Sequence, residues 1–186
     1  MPAASARDQV IELLKEDHKM VKKAFKDFEK RDAASEETEA FVAQVCAELE
    51  VHATIEEELF YPAARAALEG EDEELIDEAE VEHNSAKMLI AELQGMSADD
   101  RMMKANFTVL GEYVQHHIKE EEDEMFKKLG RAKVDWDSLL HDMQQRQQEL
   151  RAEKGLAEDA QADGESGMTP SARGKRTSVS SQSKGR

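Results

Sequence analysis

The chain has 186 residues, of which 36% are charged and only 5% aromatic, with a formal net charge of −17. Such composition favours solvent-laced helices over a β-sandwich and leaves enough length for one core plus a tail. The charge is uneven: residues 1–165 carry 42 acids against 20 bases, a net of −22, while the rest carries Arg173, Lys175, Arg176, Lys184 and Arg186 and no acid. That acidic body is unsuited to nucleic acid or a membrane surface and suits cations.

The first apolar stripe runs Val10, Leu14, Val21, Phe25, Phe28, and His18 fills its gap. This 3-4 spacing predicts an amphipathic helix. A second stripe, Phe41, Val45, Leu49, Leu59, Ala63, holds His52 and Glu56 in its gap, and starts after Ser35 with Glu37 and Thr38 as a capping signal. The third, Leu75, Ala79, Ala86, Ile90, Leu93, holds His83. The fourth, Phe107, Leu110, Val114, Met125, holds His117 and Glu121, and its expected start is Ser97 with Asp99 and Asp100.

Short polar links ("RDAASEE", "EGEDEE", "GMSADD") join these segments. The expected fold is all-α, an antiparallel up-down four-helix bundle over residues 1–132. "VDWDSLLHDMQQRQQELRAEKG" predicts an additional helix over 133–154, with Trp136, Leu139 and Leu140 packing on the bundle end. Residues 155–186 form a Ser/Gly-rich basic tail too polar to order itself, expected to fold weakly back on the acidic body rather than to hold a specific partner. One cysteine, Cys46, permits no intrachain disulfide and fits a buried site in a reducing compartment. "MPAASARDQV" has no signal pattern and no apolar run reaches ~18 residues, so the chain is expected to be soluble and cytoplasmic.

The stripes repeat. His18 to His83, His52 to His117 and Glu56 to Glu121 are each 65 residues, and the same offset pairs Val10 with Leu75, Lys22 with Lys87, Val42 with Phe107, Leu49 with Val114 and Tyr61 with Phe126. The bundle thus reads as two copies of one helical hairpin, by ancestry or by bundle geometry, with a pseudo-two-fold axis. Residues four apart on a helix are offset by about 40°, so His52 with Glu56, and His117 with Glu121, point the same way. Two carboxylates and four imidazoles on inward stripes call for a cation, and a pair of first-row metal ions satisfies them: iron, manganese or zinc.

"HATIEEELFYP" and "HIKEEEDEMF", with one further His on each of the first and third helices, resemble the hemerythrin-type HHE cation-binding domain over about residues 8–130. The resemblance implies a non-haem di-iron centre with His18, His52, Glu56, His83, His117 and Glu121 as ligands and the two Glu as bridges. Two departures stand out. The oxygen-carrying members have a fifth His four residues from the third-helix His, where this chain has Lys87 on one side and Ala79 on the other. Their second carboxylate stands five residues past the last-helix His, which is Glu122 counted from His117 and Glu121 counted from His116.

The repeat selects His117 and Glu121, leaving His116 and His141 as flanking or surface residues. A missing His leaves open coordination positions unless Tyr113, a further Glu or water fills them. Such openness favours reaction with O2, peroxide or NO over reversible O2 storage. The expected function is binding of O2 or a related small oxidant. An enzyme of oxidative or nitrosative defence and an iron store are the alternatives.

Overall fold

The computed structural model describes residues 4–31, 35–68 and 70–156. The expected tail lies, past residue 156, outside the described residues. Helix α1 spans Ala6–Phe28, and α2 spans Glu36–Ile55. A π-helical turn, Glu56–Phe60, carries α2 on into α3, Tyr61–Arg65. Helix α4 spans Glu71–Gln94. Helix α5, Met103–Glu120, continues through a second π-helical turn, Glu121–Met125, into α6, Phe126–Lys128. A 3₁₀ turn, Leu129–Arg131, precedes α7, Trp136–Glu153. Among the described residues there is no strand, and the four long rods form the expected antiparallel bundle.

Local chemistry sets the ends. The hydroxyls of Ser5 and Ser35 accept from the amides of Asp8 and Thr38, and the carboxylate of Asp135 accepts from Ser138 N, each at 3.2 Å. These bonds satisfy amides that a helix start leaves without partners. The expected start at Ser97 is corrected: Ser97 opens a turn in which Asp100 accepts from Met102 N, and the helix itself begins at Met103.

The core is two apolar clusters with a polar layer between them. One gathers Val10, Leu14, Ile55, Phe60, Ile76 and Phe126; the other gathers Val21, Phe25, Leu49, Ile90, Phe107 and Leu110. Each rod contributes to both, and on each rod the histidine interrupts the run. The inward register differs from the stripe reading in two places. Ile76 rather than Leu75 is fully buried, and from the end of the first π turn onward Phe60, Tyr61 and Ala64 replace Leu59 and Ala63. A π turn inserts one residue, which rotates the face that follows by about 100°.

Helix α7 is not confined to the bundle end. It lies along α1 and α2, burying Leu139, Met143 and Leu150 in the first cluster, with Trp136 and Leu140 partly buried beside them. Cys46 is 1% exposed, and burial with the nearby Glu50 charge pushes its thiol up to about 12, so it is core and unreactive.

Phe107 is fully buried, with ring centroids 5.0 Å from Phe25 and 4.4 Å from Phe28. Phe107→Ala is expected to cost about 3–5 kcal/mol of stability in the metal-free protein, read by denaturant unfolding. It should leave metal stoichiometry intact, because the ring belongs to the cluster at the other end from Tyr61.

Candidate metal centre

All six sequence-derived residues meet in the polar layer, and each is at least nine-tenths buried: His18 1%, His52 6%, Glu56 0%, His83 5%, His117 6% and Glu121 1% exposed. Their donor atoms fall in two overlapping groups. One is His18, His52, Glu56 and Glu121; the other is Glu56, His83 and His117, with donors inside each group within 4.8 Å of one another.

Each carboxylate faces one imidazole of its own rod and one of another. Glu56 Oε2 lies 3.2 Å from His52 Nε2 and 3.4 Å from His83 Nε2. Glu121 Oε2 lies 3.5 Å from His117 Nε2 and 3.2 Å from His18 Nε2. The two sets superpose under the 65-residue repeat, as the pseudo-two-fold axis requires. Both π turns begin at these glutamates, with Tyr61 N donating to Glu56 O and Phe126 N donating to Glu121 O.

Outside the centre, every imidazole Nδ1 meets a carboxylate. The partners are Glu122 for His18 (3.0 Å), Asp17 for His52 (3.3 Å), Glu57 for His83 (3.0 Å) and Glu82 for His117 (2.9 Å). A carboxylate at Nδ1 holds the proton there and turns the Nε2 lone pair inward, which is how metal-ligating histidines are oriented. The repeat extends to this shell, since Asp17 is 65 residues from Glu82 and Glu57 is 65 from Glu122. Lys22 and Lys87 complete it: Lys22 Nζ donates to Glu122 at 2.9 Å and Lys87 Nζ to Glu57 at 2.6 Å. Lys87, where oxygen carriers have a histidine, therefore serves an outer carboxylate. The His83 bond, with Lys87, lowers Glu57 to about 2 and keeps it ionised.

The inner atoms fit a cation. His18 Nε2, His52 Nε2, both oxygens of Glu56 and Glu121 Oε2 are buried without a hydrogen-bond partner, although His18 Nε2 lies 3.2 Å from Glu121 Oε2 and His52 Nε2 lies 3.2 Å from Glu56 Oε2. His83 Nε2 and His117 Nε2 face each other at 3.0 Å. Unpaired buried acceptors of this kind cost roughly 1–3 kcal/mol each, more when charged, and bound metal relieves that cost. In the metal-free protein burial and the Glu121 charge raise Glu56 to about 8. Burial also acts to raise Glu121, but His117 and His18 outweigh it and hold that carboxyl low.

One group in the centre does not follow from the stripes. Tyr61 is 1% exposed; its hydroxyl donates to Glu121 Oε1 at 3.0 Å and lies 3.2 Å from His83 Nε2. Burial and the two glutamate charges hold its phenol well above the ordinary value. Its repeat partner Phe126 has no hydroxyl and stacks on His18, 6.1 Å between centroids at 3°. Tyr113, considered as an added ligand, is instead 50% exposed and borders a cavity beside the imidazoles. Glu122 is an outer partner, its side chain 29% exposed. His116 stands 63% exposed near Glu82 and Glu120, and His141 is on the surface. The cavity holds about 30 Å³ and is walled by Val21, Leu49, Ile90, Val114 and Ile118.

Residues 9–129 match the hemerythrin HHE cation binding domain. Among solved structures, a hemerythrin HHE cation binding domain-containing protein of Mycobacterium kansasii superposes with a TM-score of 0.64 at 26% identity, covering 76% of this chain and 86% of that one. A DNA nickase of Nostoc sp. is 28% identical over 116 residues, 62% of this chain and 32% of the nickase, so the chain spans about a third of that relative's length.

The Glu56 shift has a pH consequence. Between its ordinary 4.5 and about 8 the folded, metal-free chain keeps a proton that the unfolded chain has released. Its contribution to stability therefore falls as pH rises through that window. Thermal melts at about pH 5.5 and about pH 8 should show the lower-pH form to be the more stable, with a shallower difference in Glu56→Gln.

Proposed function

The chain belongs to the hemerythrin HHE cation-binding domain family, and from that premise we propose that its buried cluster holds two iron ions that react with O2 or a related small oxidant. The family match and the two His/Glu groups make the chain a hemerythrin-like metal-binding protein. The observation that carries the proposal is the set of four inward Nε2 atoms around two buried carboxylates, each carboxylate near one imidazole of each hairpin. In this reading His18, His52, Glu56 and Glu121 hold one ion. His83, His117 and Glu56 hold the other, with the Tyr61 oxygen as a further donor. Mixed imidazole and carboxylate donors without thiolate suit iron ahead of softer-ligand metals, and manganese or zinc share the preference.

Bound iron would supply one-electron chemistry and Lewis acidity. The chain supplies the rest. Four outer carboxylates orient the imidazoles, and Lys22 and Lys87 keep two of those carboxylates ionised. The largely apolar walls of the 30 Å³ cavity leave room for a molecule of only a few atoms beside the imidazoles. The Tyr61 hydroxyl donates to Glu121 Oε1 at 3.0 Å, and a proton held at the edge of the site favours consumption of the oxidant over its storage. The same proton supports the second reading, an enzyme that disproportionates peroxide. Among the described residues no helix is long and apolar enough to cross a membrane, and a cytoplasmic location remains the expectation.

Anaerobic titration with ferrous iron should saturate at two ions per chain, and Glu56→Ala should lose both; retention of two ions in that variant sinks the shared-carboxylate assignment. Oxygen taken up by the reduced, loaded protein should not be recovered on evacuation. If it returns quantitatively, the chain is a carrier. Ferric protein should show visible phenolate absorption that Tyr61→Phe removes while leaving the iron content at two.

A further inference from the structure

The repeat relates the inner centre and its outer carboxylates, but not what stands behind them. Asp17 and Glu82 are equivalent, one residue before His18 and His83. Behind Glu82 stands the exposed His116, 3.6 Å away. Behind Asp17 lies α7. Gln147 Nε2 donates to Asp17 Oδ2 at 3.0 Å, the same oxygen that meets His52 Nδ1 at 3.3 Å. One carboxylate oxygen thus takes a ring N–H from the centre and an amide N–H from a helix outside the family-matched residues 9–129.

The placement of Gln147 is specific. It falls on the face of α7 that buries Met143 and Leu150, where a half-buried amide interrupts an apolar stripe. The register of that face is held from both sides by ion pairs to the rod that carries His52. Arg146 meets Glu58 at 2.7 Å, Arg151 meets Glu48 at 2.6 Å and Lys154 meets Glu50 at 2.7 Å. The Arg151–Glu48 pair is itself largely buried, with side chains 12% and 8% exposed. These contacts bracket His52 along the chain and leave Gln147 little freedom to move away from Asp17.

We propose that Gln147 is a positioning residue of the metal centre: by fixing Asp17 it locks the His52 ring with Nε2 inward, and makes the His18/His52 position hold its ion more tightly than the His83/His117 position. The second clause rests on the two-ion reading above; the first does not. An Asp17 held by two donors cannot rotate away from His52, so the ring keeps one tautomer and one orientation. Among the described residues no such helix stands behind Glu82, and His117 is correspondingly freer to turn.

The test uses the full chain with Gln147→Leu, which keeps the bulk and removes the amide, and Gln147→Met as a second amide-free variant should Leu fold poorly. Asp17→Asn and Glu82→Gln serve as the direct and the symmetry-related controls. In the metal-free protein, imidazole ¹⁵N spectra should show the His52 signals moving in Gln147→Leu while those of His117 stay. In protein loaded with ferrous iron, chelator-driven release should have two phases. Gln147→Leu should accelerate one phase by roughly 3- to 10-fold, below the ~10–100-fold of losing a direct partner, and leave the other phase alone. Glu82→Gln should accelerate the opposite phase, and Gln147→Leu combined with Asp17→Asn should be no faster than Asp17→Asn. Unmoved His52 signals, or equal acceleration of both phases, would overturn the proposal. If the wild-type chain binds fewer than two ions while the His52 signals still move, positioning by Gln147 stands and the two-ion reading falls.

Discussion

The structure depends on a buried polar layer that cannot satisfy itself. Two carboxylates and four imidazole nitrogens face one another between two apolar clusters, and His18 Nε2, His52 Nε2, both oxygens of Glu56 and Glu121 Oε2 have no hydrogen-bond partner there. Burying an isolated carboxylate costs several kcal/mol even after relaxation, so the layer is stable only with protons or metal between the donors. The raised Glu56 and the low Glu121 are the proton solution, one carboxyl taking a hydrogen so that two negative charges need not coexist. Metal is the other solution, and the outer carboxylates prepare for it by fixing every Nδ1.

Symmetry organises that preparation and its breaches give the site a direction. The inner donors, outer carboxylates, lysines and π turns all repeat at 65 residues. Tyr61 against Phe126 breaks the pattern inside, placing a phenol near His83 and an apolar ring against His18. Helix α7 breaks it outside, covering α1 and α2 while, among the described residues, the equivalent face of α4 and α5 leaves Val81 and Tyr113 exposed. The two His/Glu groups are therefore not equivalent: one has the Tyr61 phenol beside it, and the other is backed by α7.

Much of the site was legible in the sequence because a histidine in an apolar stripe violates the helical period, and four such violations at matching intervals identify one layer. The choice of His117 over His116 and of Glu121 over Glu122 follows from the same offset and agrees with their burial, 6% and 1% exposed for the chosen pair. Tyr61 was not legible. The stripe Leu59, Ala63 extends a regular helix and points Tyr61 aside; the π turn adds a residue and swings it inward. The one available signal was the repeat, which pairs Tyr61 with Phe126 at a buried position.

The sequence by itself determined the helical rods, the pairing of hairpins and the six inner residues, since each rests on spacing along one chain. Only the tertiary structure decided which carboxylate backs which imidazole, that Lys87 serves Glu57, that a phenol enters the centre, and that α7 lies against Asp17 through Gln147. Those contacts join residues 22 to 130 positions apart. Helical period carries no information across such distances; the packing of rods and a one-residue π insertion do.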